Sequence, residues 1–431
     1  MALSGRPSPS GRTAALALTA LACLALAACG GGTSVGVAPL VSGAYATFQP
    51  AGVVIGQPGF SENSPNQGNG SQPYAETLRQ PAGNSLPFGG TLYVPDTGNN
   101  RVLGYSGVPA VNNQVATFAV GQQDLQSATA PAQPTSSSLN APRGLATYGG
   151  DLVVADSGNN RVLIWSQPPT GNSPADVVLG QHGNFQTGSA ACGWPGLNDP
   201  AGVAVTPGGK LVVVDTGNNR ILIWDQVPTT NPPPPPSLIL GQPTISATTC
   251  PVNQGQSSSA ANTLDTPTAV WTDGTRLVVA DSGNNRVLIW TSFPTREDQP
   301  ADRVLGQGDF AHDAANDDAQ NGTQQPTPTA RTLYDPRGVY SDGTRLFVAD
   351  TGNNRVLIWN AFPSASFAPA DVVLGQGDFT HNTQDDDNQN GQQDASASAR
   401  TLYAPGGVTE TGKKLLVSDS SNNRVLVYQG Q

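Results

Sequence analysis

Three sets of side chains in this 431-residue chain have types and spacings that could do chemistry. The first is an Asp and an Arg five positions apart, found six times: Asp96 and Arg101, Asp156 and Arg161, Asp215 and Arg220, Asp281 and Arg286, Asp350 and Arg355, Asp419 and Arg424. Such pairs suit either a ring of guanidinium groups that receives an anion, or ion pairs that hold turns. The second set is two acidic, amide-rich tracts. One carries Asp309, Phe310, His312, Asp317 and Asp318, the other Asp378, Phe379, His381, Asp385, Asp386 and Asp387. Clustered oxygen ligands suit calcium and paired imidazoles suit a transition metal. No Asp/Asn spacing matches a known calcium loop, so no cofactor is expected and calcium stays only as an open alternative. The third set is the cysteines. Cys192 and Cys250 sit in Gly/Thr/Pro-rich stretches, neither beside a histidine or a second cysteine. A disulfide between them is expected in place of metal or nucleophile chemistry.

Repetition decides how the first set reads. Each Asp/Arg pair sits in one unit, as in Leu152-Val153-Val154-Ala155, then Asp156-Ser157-Gly158-Asn159-Asn160-Arg161, then Val162-Leu163-Ile164-Trp165. This is a hairpin of two apolar strands across a Gly/Asn turn. Six copies cannot all serve one asymmetric active site, so the pairs are expected to be scaffold, with each Asp accepting N–H bonds from its own turn. The turn glycines, such as Gly158, are expected in backbone states closed to other residues. The tryptophans that end the third strands (Trp165, Trp224, Trp290 and Trp359) are expected between blades.

Two further markers complete the unit. A Gly-Gln pair follows each of the first five hairpin Asp residues at near-constant distance (Gly121, Gly180, Gly241, Gly306 and Gly375), and one more stands at Gly56 before any hairpin. A Pro-x-Gly run precedes most hairpins, as at Pro142, Pro200, Pro336 and Pro405. Each unit is therefore four short antiparallel strands, and six such units predict an all-β six-bladed β-propeller. The last unit lacks a fourth strand, while Val53-Val54-Ile55 lacks a hairpin. The ring is expected to close by lending that N-terminal strand to the C-terminal blade.

The Asp-[Thr/Ser]-Gly-Asn-Asn-Arg-[Val/Ile]-Leu hairpin resembles the NHL repeat, from about Val53 to Tyr428. The sixth copy departs with Ser421 in place of glycine; the first departs with Pro95 and Gly104-Tyr105. Six-bladed relatives of that family include lactonases, strictosidine-synthase-like proteins and a zinc-dependent amidating lyase domain. No set of their axial ligands is matched position by position in this chain.

The N-terminus directs location. Arg6 and Arg12, the Ala/Leu run from Ala14 to Ala28, and Leu26-Ala27-Ala28-Cys29 resemble a bacterial lipoprotein signal over residues 1–28. The resemblance implies a lipidated Cys29 and a flexible tether over residues 29–50, ahead of a propeller over 51–431. Gly30, where an Asp would retain the protein at the inner membrane, implies the outer membrane or cell surface. The formal net charge of −11 opposes a phosphate backbone, which excludes nucleic acid as a partner. All length variation falls between a Gly-Gln and the next Asp, in loops expected on the same face as the Asp turns. The chain is thus expected to be a monomeric, lipid-anchored, non-enzymatic binding or scaffold module of the bacterial envelope. That face would meet an extracytoplasmic protein, peptide or glycan. The alternative is a hydrolase or lyase with a metal near the propeller axis.

Overall fold

The computed structural model describes residues 43–431; the expected signal over residues 1–28 and Cys29 lie outside the described residues. Strands two and three of each unit are apolar at nearly every position because each blade is packed on both faces. In blade three, Leu211–Asp215 and Arg220–Trp224 are buried throughout, in a register that sets Asp215 opposite Arg220 and Leu211 opposite Trp224. An innermost strand, Pro200–Val205, and an outer strand, Leu238–Leu240, complete a four-stranded antiparallel sheet. Five more such sheets repeat the order. Each core cluster draws on two neighbouring blades: Val153 and Ile164 of blade two pack with Val213, Leu222 and Trp224 of blade three. The four tryptophan indoles pack there too, each donating to a carbonyl of its own connection between strands three and four, as Trp224 does to Pro234 O at 2.9 Å.

The ring closes as expected. Val53–Ile55 pairs antiparallel with the third strand of blade six, Val53 facing Val427 and Ile55 facing Val425. The residues before it belong to the propeller as well. Phe48 N–H donates to Val373 O and Ala51 N–H to Ala399 O, repeating the bonds from Phe367 to Val304 O and from Ala370 to Ala330 O one blade earlier. Residues 43–50, expected in the tether, therefore pack as the connection between the third and fourth strands of blade six, with Tyr45 buried. These connections also protect outer edges. The outward N–H and C=O of Val304 are taken by Ser366 and Phe367, and those of Val373 by Thr47 and Phe48.

The Asp turns and the loops that enter each innermost strand share one face, since Pro200 pairs with Asp215 and the equivalent prolines pair with their own Asp. The other face holds the turns between strands one and two. Gly43 lies there: its carbonyl accepts from Arg345 and its N–H donates to Gln431 O, beside Lys413.

Blade one breaks the sixfold pattern at the axis. Its innermost strand is only Leu86–Phe88 and does not reach back to Asp96. The preceding residues turn into the axis, where Asn84 Nδ2 donates to Val339 O at 3.1 Å and Asn84 Oδ1 accepts from Val408 N–H at 2.9 Å. One side chain of blade one thus ties blades five and six together.

Removing residues 51–57 is predicted to destabilise the whole ring. Val54 and Ile55 are fully buried, and their loss alone costs about 3–6 kcal/mol, comparable with the total stability of many domains. Thermal denaturation of a chain beginning at Ser61 should show a lowered or broadened transition; an unchanged cooperative melt would refute closure by this strand.

Candidate binding face and axial pocket

The six Asp/Arg pairs are fully buried. In blade two, Asp156 Oδ2 accepts from Arg161 Nε at 2.7 Å and Asn159 Nδ2 at 2.9 Å, while Oδ1 accepts from Asn140 N–H at 2.6 Å. That last donor lies in the loop entering the blade, so the Asp anchors the loop to the turn and does not cap its own turn as expected. Arg161 spends its remaining donors on carbonyls: Thr135 and Ser138 in the entering loop, Phe185 in the leaving loop. Phe310 and Phe379, in the two acidic tracts, act here through their backbones, as acceptors for Arg286 and Arg355. The same bonds recur around the ring except in blade three, where Arg220 Nη1 and Thr216 Oγ1 lack a partner. The Cys192–Cys250 disulfide joins the loops entering blades three and four, and Cys250 O accepts from Asn219 in that same turn.

The turn residues take roles that sequence left open. The second Asn of each turn is left-handed, with φ from 50° to 55°. Its side-chain oxygen accepts an N–H from the residue before the next blade's proline, as Asn160 does from Asp199 at 2.8 Å, and Asn423 closes the circle onto Gln80 at 2.9 Å. The Gln of each Gly-Gln donates to that Asn's carbonyl and to the following loop, and the Gly before it has φ from 85° to 92°, which explains the marker. The turn glycine is needed for space. A Cβ at Gly352 would lie 2.5 Å from the ring of Tyr334, and one at Gly158 would lie 2.6 Å from Asn140. This corrects the expectation of a special backbone state at that position.

The residues preceding the prolines (Gln80, Ala141, Asp199, Thr266, Asp335 and Ala404) all have φ between 42° and 49°. Proline disfavours helical backbone before it and side chains disfavour positive φ, so each position stores strain of about 1–3 kcal/mol. The Asn bond from the previous blade holds it. The sharp bend brings the innermost strands to the rim of an axial pocket of about 300 Å³, lined by residues of all six blades. Its polar wall residues include Gln80, Asn84, Arg143 and Arg337. Blades two and five are opposite in the ring, so Arg143 and Arg337 belong to opposite walls of the pocket. Each is paired with a rim carboxylate, Arg143 with Asp199 at 3.1 Å and Arg337 with Asp335 at 2.8 Å. Sequence reasoning named none of these residues, although the Pro-Arg-Gly runs were in view. The wall holds no His, Cys, Asp or Glu, so the alternative of a metal near the axis lacks ligands there.

The acidic tracts do not converge on one centre. Asp317 and Asp386 are buried, and their oxygens accept the N–H groups of Asn321 and Gly322, and of Asn390 and Gly391. Asp318 pairs with Arg331, and Asp387 with Arg400. His312 and His381 bond to Asp309 and Asp378 within their own loops; the His312 bond holds Asp309 below the usual carboxylate range, while burial pushes Asp378 up but is outweighed by the bonds from Thr380 and His381 together, and Asp378 falls to about 2. Among the described residues no group of three or more His, Cys, Asp or Glu is arranged to hold a metal ion.

Asp385 differs from the rest. In blades one, four and five the entering loop supplies an Asn that exchanges two bonds with the first Asn of the turn, as Asn316 does with Asn353. Blade six has Asp385 there; Oδ1 accepts from Asn422 and Thr401, and the buried Oδ2 has no partner. Burial pushes the Asp385 carboxyl up. Burial also pushes up all six hairpin carboxyls, against the pull of their guanidinium and N–H donors, and Asp419, with Asp385 beside it, rises to about 6.

Two outcomes are predicted. Arg161→Ala leaves Asp156 buried and unpaired and should cost about 3–5 kcal/mol. Arg220→Ala, which removes fewer bonds, should cost less; equal losses in denaturant titration would refute the bond accounting. Asp419 has a folded pKa above its unfolded value, so its contribution is full below the unfolded pKa and is lost as pH rises through about 6. The melting temperature should therefore fall between about pH 4 and pH 6 and level off above that. Asp385→Asn restores the reciprocal amide pair, and should add about 1–3 kcal/mol at neutral pH and flatten that slope.

No curated protein matches the chain. Solved structures that align with it include a streptogramin B lyase (12% identity, 85% of this chain and 95% of that one, TM-score 0.41). Others are the hydrazine synthase of Kuenenia stuttgartiensis (14%, 82% and 96%, 0.42) and an auxiliary nutrient binding protein from Bacteroides thetaiotaomicron (10%, 81% and 69%, 0.40). The NHL repeat family model matches residues 197–224, from the entry of blade three through its hairpin, so this six-bladed β-propeller carries an NHL repeat.

Proposed function

We propose that this protein is a lipid-anchored binding module of the bacterial cell envelope that meets an extracytoplasmic partner on its Asp-turn face. The observation that carries the reading is the polarity of the ring. Gly43 lies on the face opposite the Asp turns and the axial pocket, against Arg345 and Lys413. A chain anchored at Cys29 would enter the ring at Gly43, on the face away from the pocket and variable loops. The rim is built from residues that differ from blade to blade, on a frame whose repeated residues are buried, which is the arrangement expected of a binding surface on a rigid scaffold. The net charge of −11 argues against nucleic acid as the partner, and closure by the chain's own strand suits a monomeric ring.

Two measurements test this. Cys29→Ala should abolish palmitate labelling and release the protein from the membrane fraction; persistent labelling would refute the anchor. Arg143→Gln with Arg337→Gln, at the exposed rim, should leave the melting temperature within about 0.5 kcal/mol of equivalent stability while abolishing capture of envelope components. Undiminished capture by this variant would count against the face.

A further inference from the structure

A second opening adjoins the axial pocket. Between blades six and one a cleft of about 460 Å³ runs outward from the axis and shares Gln80 and Ser421 with the axial wall. Asn63, Arg79, Gln393 and Tyr403 also line it. Amides and hydroxyls dominate, the lining has no Val, Leu, Ile, Phe or Met, and Arg79 is its one charged group.

The departure of the sixth turn shapes this cleft. In blade five Tyr334 lies over Gly352, where a Cβ would stand 2.5 Å from its ring. Blade six has Ser421 at that position, and its Cβ denies Tyr403 the same place. Tyr403 instead lines the cleft, 36% exposed, with its backbone pinned by Asp419 and Ser421. Arg79 is pinned in the same way: its N–H donates to Asp96 at 2.7 Å and its carbonyl accepts from Gly98 at 2.9 Å. Arg143 and Arg337 have carboxylate partners, whereas no ion pair among the described residues engages Arg79.

We propose that this cleft binds an acidic glycan, a uronate-containing oligosaccharide, with Arg79 taking the sugar carboxylate and Tyr403 stacking on a ring. A guanidinium without a counterion in an otherwise neutral cleft selects a carboxylate. Side-chain amides and hydroxyls both donate and accept, which matches vicinal sugar hydroxyls, and the exposed Tyr403 at the edge of the cleft offers an apolar surface to the C–H face of a pyranose. An acidic peptide fits less well, because the lining offers no apolar socket for side chains and the nearby outer strand at Val54 already has its backbone groups engaged by Asn112 and Asn113.

This inference rests on the Asp-turn face being the binding face. Titration calorimetry on the full chain with trigalacturonate, maltotriose and hexaglutamate tests it. Trigalacturonate should bind, and maltotriose should bind at least about tenfold more weakly. Arg79→Gln and Tyr403→Ala should each weaken trigalacturonate binding about tenfold with unchanged melting temperature, while Arg296→Gln on the opposite face should change nothing. Binding of hexaglutamate as tight as trigalacturonate, an unaffected Arg79→Gln variant, or no trigalacturonate binding would overturn it. If trigalacturonate fails while the Arg143/Arg337 variant still loses envelope capture, only the ligand class falls; if capture is also unaffected, the face falls with it.

Discussion

The buried Asp–Arg pair is the interaction on which the rest of the structure depends. Taking a carboxylate and a guanidinium out of water costs several kcal/mol per ion, and their attraction repays this only when the remaining donors and acceptors are also satisfied. In blade two every polar atom of the pair has a partner: the carboxylate accepts from Arg, Asn and a loop N–H, and the guanidinium reaches carbonyls of the entering and the leaving loop. The pair therefore does more than join two strands. It fastens otherwise irregular loops to a rigid turn, and so the face that carries variation is held by the part that does not vary.

Around this frame runs a second circle of bonds between blades. The left-handed Asn of one turn holds the strained residue before the next proline, and the Ser or Thr after the Asp donates to that proline's carbonyl in five of the six junctions. The junction after blade three lacks the second bond, and there Arg220 is under-satisfied as well. The Cys192–Cys250 disulfide spans the same place. At the other junction that departs, blade six to blade one, a buried Asp replaces an Asn, a Ser replaces a Gly, and the ring is closed by a strand from the far end of the chain. The outward cleft that shares Gln80 and Ser421 with the axial pocket lies at that junction. The places where the frame is least regular are the places where a surface for recognition forms.

Much of this was legible in the sequence. Strand number, blade order and closure by Val53–Ile55 follow from repeat spacing, because a repeated hairpin with one orphan strand at each end has a single closed solution. The scaffold role of the Asp/Arg pairs was legible for a similar reason. The partners were less so: each Asp binds a loop N–H sixteen or so positions upstream, roughly the length of a strand and turn, and no local pattern announces it. The turn glycine was misread because its constraint is a side chain from another segment, not its own dihedral angles.

Sequence by itself determined the six-bladed ring, the face on which loop variation accumulates and the identity of the repeated frame, since all three follow from periodicity, which is a property of the chain alone. Tertiary structure decided the site. Arg143 and Arg337 line one pocket only because blades two and five belong to a closed ring, Asn84 bonds to blades five and six only where blade one's short innermost strand leaves room, and Arg79 and Tyr403 share a cleft only where the two ends of the array join. Those juxtapositions link residues far apart in the chain, and closure brings them within reach.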